Sequence, residues 1–383
     1  MVGFGIRLIF VLFSVILNTP ISVASSISSF IYNGEETTTG TDGDWPSIAS
    51  LYYDAIDYSG TYGLYCGASI LDNEHVLTAA HCLFDGNGSL NEEYLVYTSV
   101  VPQMENEQEF IDATVQIIRA SEFYVHSDYD DTSYNDDTSW PNDIAVIKLV
   151  ETMNISDADY ITRATGTQSV EYRSIGEKFV AVGHGLTESG DEEELLQTTL
   201  TYNTANLCSF DNISESQLCM SGEENDDTGV NNSTCSGDSG GPLYWYDDSN
   251  AKYVQAGITS YGWTSCYNAT TNDTSVFTEV SDYENWISEV LAGEVTPDYT
   301  ITGDQRDAYE INDDETSEPN STVSTTSSSG GSVPVGSLIF LALIALKRKI
   351  KVVADTNFDA MQYSIAYENI EKIEALLPYL QPS

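Results

Sequence analysis

Positive charge is what this chain has least of. Lys and Arg total 13 against 60 Asp and Glu, a formal net charge of -47 over 383 residues. Four of those cations, Lys347, Arg348, Lys349 and Lys351, cluster near the C-terminus, so the rest of the chain is more acidic still. A surface of this sign stays soluble and weighs against nucleic acid and anionic membrane as partners. The acid-rich stretches 127–137 and 188–194 read as solvated faces, and neither carries an oxygen-ligand spacing that would define a calcium site. Cysteine is also scarce. The six present include no Cys-x-x-Cys pair, which removes the thiolate zinc site as an option. No metal and no other cofactor is expected. Long apolar runs are missing too. Segments 8–17 and 335–346 are the notable ones, and both fall short of the ~20 apolar residues that usually span a bilayer.

What the chain does have begins with an export signature. Arg7 precedes the apolar run 8–17, and Ser22-Val23-Ala24 offers small residues for cleavage, so 1–24 reads as a signal peptide. Six cysteines in an exported chain then read as three disulfides. Asn-x-Ser/Thr sequences at Asn87, Asn154, Asn212, Asn268 and Asn320 would accept glycans in a eukaryotic secretory pathway.

The most specific segment is Cys235-Ser236-Gly237-Asp238-Ser239-Gly240-Gly241-Pro242. It holds a hydroxyl between glycines with an acid just before it. That suits a nucleophile on a tight turn whose backbone amides face an oxyanion. Such a serine needs a base. His81, in Val76-Leu77-Thr78-Ala79-Ala80-His81-Cys82, is the candidate, and Asp143, in Asn142-Asp143-Ile144-Ala145-Val146, is the candidate acid. His75, His126 and His184 read as structural. The chain order His, Asp, Ser differs from the subtilisin and α/β-hydrolase orders.

With these three segments, residues from about 31 to about 291 resemble the trypsin/chymotrypsin family of serine endopeptidases. The resemblance implies an all-β fold of two antiparallel six-stranded β-barrels with a closing C-terminal helix. Short β segments at 48–53, 68–71, 144–149, 179–182, 254–259 and 276–278 suit that architecture, and 283–291 reads as the helix. It implies Ser239 as nucleophile, His81 as general base and acid, Asp143 as the residue orienting His81, and the amides of Gly237 and Ser239 as the oxyanion hole. It pairs Cys66 with Cys82, Cys208 with Cys219, and Cys235 with Cys266. It makes Asp238 the partner of a new amine at Ile31, released when a propeptide of 25–30 is cut away. Ile31-Tyr32-Asn33-Gly34 departs from the family start at Tyr32 and Asn33. Phe30 precedes the cut, which points away from a trypsin-like activator and toward a protease accepting aromatic residues, with this chain itself as one candidate. In the primary pocket, uncharged Ser233 stands where trypsin-like members carry Asp. Ser260 and Gly262 form the wall, and Ser275 narrows it, so cleavage after Phe, Tyr, Leu or Met is expected. Protein or peptide substrates are the implied partners. A catalytically silent binding module on the same fold is the competing reading.

The peptidase domain is expected over 31–293, followed by a polar Ser/Thr-rich linker at 294–332. Next come Gly330-Gly331-Ser332-Val333-Pro334, the apolar run and the basic cluster, within 333–351. That order resembles the bacterial GlyGly-type C-terminal sorting signal and implies a rhomboid-like sorting protease and release to the cell surface or medium. A retained single-pass anchor is the alternative. Segment 352–383 is an extension of unassigned role.

Overall fold

The computed structural model describes residues 31, 34–41, 43–131, 140–185, 194–210, 212–224, 231–262 and 274–309. The expected signal peptide and propeptide (1–30), Cys266, and the sorting or anchor segment with its extension (333–383) lie outside the described residues. Among the described residues, no helix is long and apolar enough to cross a membrane.

Among the described residues, fourteen strands build the fold: β1 (Glu35–Glu36), β2 (Ile48–Ala55), β3 (Thr61–Ile70), β4 (His75–Thr78), β5 (Thr98–Pro102), β6 (Ile118–Val125), β7 (Ala145–Leu149), β8 (Lys178–Gly183), β9 (Leu196–Asn203), β10 (Gln217–Gly222), β11 (Pro242–Asp247), β12 (Lys252–Tyr261), β13 (Thr274–Glu279) and β14 (Tyr299–Thr300). Strands β2 to β7 form one antiparallel sheet in the order β6-β5-β2-β3-β4-β7, closed by pairing of β6 with β7. Strands β8 to β13 form a second in the order β9-β10-β13-β12-β11-β8, closed by β8 with β9. The two closed six-stranded barrels therefore share one cyclic strand order, and closure leaves few free edges. Each gains a short strand that the sequence did not announce, β14 on β6 and β1 on β9.

Strand alternation follows burial. In β9, Leu196, Thr198, Leu200 and Tyr202 point inward while the residues between them are half-buried or exposed. Strand β12 is buried continuously from Val254 to Tyr261 because it is covered on both faces. The first barrel's core gathers Leu51, Leu77, Val100, Phe123 and Ile147, and the second gathers Phe179, Leu200, Leu218, Leu243 and Phe277. The C-terminal helix forms at Glu284–Leu291 after a 3₁₀ turn at Val280–Tyr283. It buries Ile287 and Val290 against the core of the first barrel.

Two expected disulfides are present. Cys66–Cys82 spans 16 residues and Cys208–Cys219 spans 11. Each closed loop of this size is worth about 3 kcal/mol, chiefly through the unfolded chain. Cys235 is also disulfide-bonded.

Residues 294–309, expected to begin a linker, are ordered structure instead. Tyr299 and Thr300 pair with Phe123 and Glu122 of β6. Ile301 is buried in the first core, and a helix follows at Gly303–Ala308, opened by a Thr302 capping box with Gln305. Buried Arg306 donates to the carbonyls of Val96 (2.6 Å) and Ala120 (3.0 Å). Polar composition suggested a solvated tether, but one buried isoleucine and one buried guanidinium bonded to two carbonyls dock this stretch on the barrel.

Candidate active site

His81 lies on a 3₁₀ turn at Ala80–Leu83, directly after β4. The Cys66–Cys82 disulfide fixes that turn to β3, and Cys82 Sγ lies 3.9 Å from His81 Nε2. Asp143 sits two residues before β7, which pairs with β4, so the ladder itself brings acid and imidazole together. The Asp143 carboxylate is fully buried. Its Oδ1 accepts the His81 backbone N–H (2.8 Å), and its Oδ2 meets His81 Nδ1 (2.8 Å). This contact assigns the proton to Nδ1 and leaves Nε2 as the acceptor.

Two further residues hold Asp143, and the sequence reading gave neither this role. Ser260 Oγ donates to Oδ2 (2.5 Å), and Thr278 Oγ1 donates to the Asp143 carbonyl (2.8 Å). Ser260 can reach because the β12–β13 register shifts between Thr259 and Tyr261. A bulge re-aims the side chain it contains. The signal for Ser260 was present as a wall residue, but its hydroxyl contact arises only from that local irregularity.

Ser239 faces the same cleft from the second barrel. A cavity of ≈ 360 Å³ is lined by His81, Ser239, Trp140, Thr234, Tyr261 and Gly262, among others. Its loop is tied to both barrels: Gly67 N–H of β3 donates to the Ser239 carbonyl (2.7 Å), and Gly240 N–H donates to Thr259 O of β12 (2.8 Å). Gly240 has φ +77, and a Cβ there would lie 2.1 Å from Thr78 Oγ1 and 2.5 Å from Gly67 O. Only glycine fits that contact. Gly237 also has positive φ, +101. The amides of Asp238 and Gly241 are used inside the turn, whereas no hydrogen bond among the described residues uses those of Gly237 or Ser239. Among the described residues, Ser239 and His81 share the cleft without a direct hydrogen bond, a spacing common before substrate binds.

Residues 32–287 match the Trypsin family. The chain belongs to that family. It is 31% identical to chymotrypsin-C of Mus musculus over 279 residues, 70% of this chain and 90% of the relative. It is 29% identical to a chymotrypsin of Phaedon cochleariae over 231 residues, 58% of this chain and 70% of the relative. It is 29% identical to clotting factor C of Tachypleus tridentatus over 275 residues, 69% of this chain. There the match spans 26% of the relative's length.

The remaining expected positions of this trypsin-family chain divide by location. Ser233 is buried one residue before Thr234, which lines the cavity. Gly262 lines it as well. Ser275 is buried behind Gly262, its Oγ 3.7 Å from the point a Gly262 Cβ would occupy, and it accepts a hydrogen bond from Thr234 Oγ1 (2.9 Å). No acidic residue is among the described residues lining the cavity.

Asp238 is buried, and its carboxylate accepts the N–H groups of Gly185 (2.9 Å) and Cys235 (2.8 Å). Side chains at Gly183 or Gly185 would collide with it at 2.3–2.4 Å. Ile31 is fully buried against Leu196, and Leu196 pairs across the ladder with Gly183. Ile31 and the Asp238 carboxylate thus flank one register position of the β8–β9 ladder. Between the two glycines, His184 is buried, its Nδ1 3.4 Å from Ser50 Oγ of the first barrel. Burial drives its pKa down to about 4, against a weaker opposing pull from the backbone of Met104 and Glu105.

Trp140 escaped the sequence reading altogether. Its indole lies parallel to the His81 ring, with centroids 4.7 Å apart and planes 12° apart. No motif marks it, since it stands three residues before Asp143 in an otherwise polar stretch.

Proposed function

We propose that this chain is an exported serine endopeptidase, made as a zymogen and acting on proteins or peptides after uncharged residues. The observation that carries the reading is the buried Asp143 carboxylate on His81 Nδ1, across one cleft from Ser239. In that arrangement His81 Nε2 takes the Ser239 hydroxyl proton as Oγ adds to the scissile carbonyl. The oxyanion would accept hydrogen bonds from the amides of Gly237 and Ser239, each worth about 3–4 kcal/mol in the transition state. Collapse breaks the C–N bond, and the imidazolium returns its proton to the departing amine. Water, deprotonated by the same ring, then cleaves the acyl-enzyme and regenerates Ser239.

Membership of the Trypsin family and the chymotrypsin relatives support peptide-bond hydrolysis. Uncharged Ser233 and a described cavity lining without acid support a preference for aromatic or aliphatic side chains. For activation, cleavage between Phe30 and Ile31 would free an amine beside the ladder position that abuts Asp238. The ammonium would join a carboxylate already held by two amides and tighten the nucleophile turn. Two disulfides and the signal-like N-terminus support export.

Fluorophosphonate labelling tests this reading. Chain cut at Phe30–Ile31 should label strongly, uncut chain weakly, and Ser239→Ala not at all. An unlabelled cut chain would favour a silent binding module. Turnover of Arg-ending peptides equal to that of Phe- or Leu-ending ones would refute the specificity.

A further inference from the structure

We propose that Trp140 is a positioning partner of His81: its indole face stabilises the protonated imidazole and keeps water from that side of the ring. The inference rests on the reading of His81 as general base and adds a second group acting on it. The geometry is that of a cation above an aromatic face. At 4.7 Å and 12°, the imidazole lies over the negative face of the indole, well inside the ~6 Å within which cation–π attraction acts. The His81 side chain is 13% exposed, so little solvent competes with the indole for its charge.

The ring is held in place by contacts with the residues around it. Trp140 Nε1 donates to the carbonyl of Asp131 (3.2 Å). The Asp131 carboxylate in turn accepts Gly88 N–H (3.0 Å) and the Tyr129 hydroxyl (3.0 Å). Tyr261, on the far wall of the cleft, presents its ring at 6.2 Å and 87° to the indole. The backbone is constrained as well: Trp140 has φ 41 and Asn142 has φ 58, with Pro141 between them. Asn142 is fixed from both ends, donating to Asp128 O (2.9 Å) and accepting from the Tyr283 hydroxyl (2.9 Å). Non-glycine residues keep left-handed φ only where their surroundings enforce it, and such sites cluster around function. This loop spends two such positions to lay a flat indole on one imidazole.

The consequence concerns the proton. In the mechanism proposed above, His81 is neutral in the resting enzyme and positive in the transition state, so a group that favours the positive ring lowers the barrier. Asp143 is a charged group in direct contact with the ring, and the Asp131 carboxylate, held by Gly88 and Tyr129, belongs to the residue whose carbonyl accepts Trp140 Nε1. Both remain when Trp140 alone is replaced, so such variants isolate the indole.

The test is an NMR titration of the His81 ring in the full chain carrying Ser239→Ala, with and without Trp140→Leu or Trp140→Phe. The titration midpoint should fall by about half to one pH unit in Trp140→Leu, a loss of about 3- to 10-fold in proton affinity, and by roughly half as much in Trp140→Phe. In the cut chain with Ser239 present, the acid limb of kcat/KM for a Phe-ending peptide should move down by the same interval, and its plateau should fall about 3-fold or more. A midpoint unchanged in Trp140→Leu overturns the proposal, whatever happens to the rate. A shifted midpoint in a chain that neither labels nor hydrolyses peptides would sustain the contact with Trp140 and refute the endopeptidase reading.

Discussion

Lowering the pH from 7 to 4 should cost this protein about 3 kcal/mol through one buried ring, His184. The unfolded chain takes up a proton on that imidazole near its ordinary value of 6.5, whereas burial delays uptake in the folded state to about 4. Between those values the unfolded state holds the extra proton, so stability falls as the pH falls. Above 6.5 the contribution is flat. Below it, the slope approaches about 1.4 kcal/mol per pH unit, and over the roughly 2.5 units available the total reaches about 3 kcal/mol. A domain stable by about 5–15 kcal/mol would lose a substantial share. The location adds a local effect, because His184 touches Ser50 of the first barrel and precedes Gly185, whose N–H holds Asp238. Urea unfolding followed by tryptophan fluorescence at pH 4 to 8 provides the measurement, with His184→Phe as reference. His126, also depressed by burial and partly restored by Asp128, contributes with the same sign but is common to both chains. The wild-type chain should lose about 3 kcal/mol more than His184→Phe across that range. Parallel stability curves for the two chains would refute the reasoning.

Three other perturbations have definite outcomes. Gly240→Ala forces a Cβ into the Thr78 hydroxyl and the Gly67 carbonyl at a positive φ. It should lower stability by more than about 2 kcal/mol and abolish fluorophosphonate labelling. Glu279→Ala leaves Arg173 without its buried carboxylate and Tyr172 with only the more distant Ser281 Oγ (3.2 Å) as acceptor, and should cost about 3–5 kcal/mol in denaturant titrations. Ending the chain after Gly293 removes Ile301 and the two Arg306 hydrogen bonds; a loss of about 3 kcal/mol or more is expected, read as a lower thermal midpoint than a chain ending after Tyr309.

The family, the barrel class and the assignment of His81, Asp143 and Ser239 to one site could be read from local stretches of the amino-acid sequence. These were legible because each depends on local chemistry. A serine in a turn this tight needs Gly237 and Gly240, the segment before it needs an acid at Asp238, and β4 and β7 carry His81 and Asp143 near their ends. The two described disulfides followed from family spacing. What the sequence could not reveal was every feature set by contact between segments far apart in the chain. The polar stretch after residue 293 looked like a tether because its value lies in one isoleucine and one arginine meeting strands nearly two hundred residues earlier. Ser260 looked like a pocket wall because the bulge that turns its hydroxyl to Asp143 belongs to the pairing of β12 with β13. Trp140 carried no signal at all, since parallel stacking on His81 depends on a left-handed backbone and on anchors contributed by Asp131 and Tyr283. Motifs record what one turn of backbone requires, whereas burial, stacking and register arise only when the closed barrels bring distant side chains into contact.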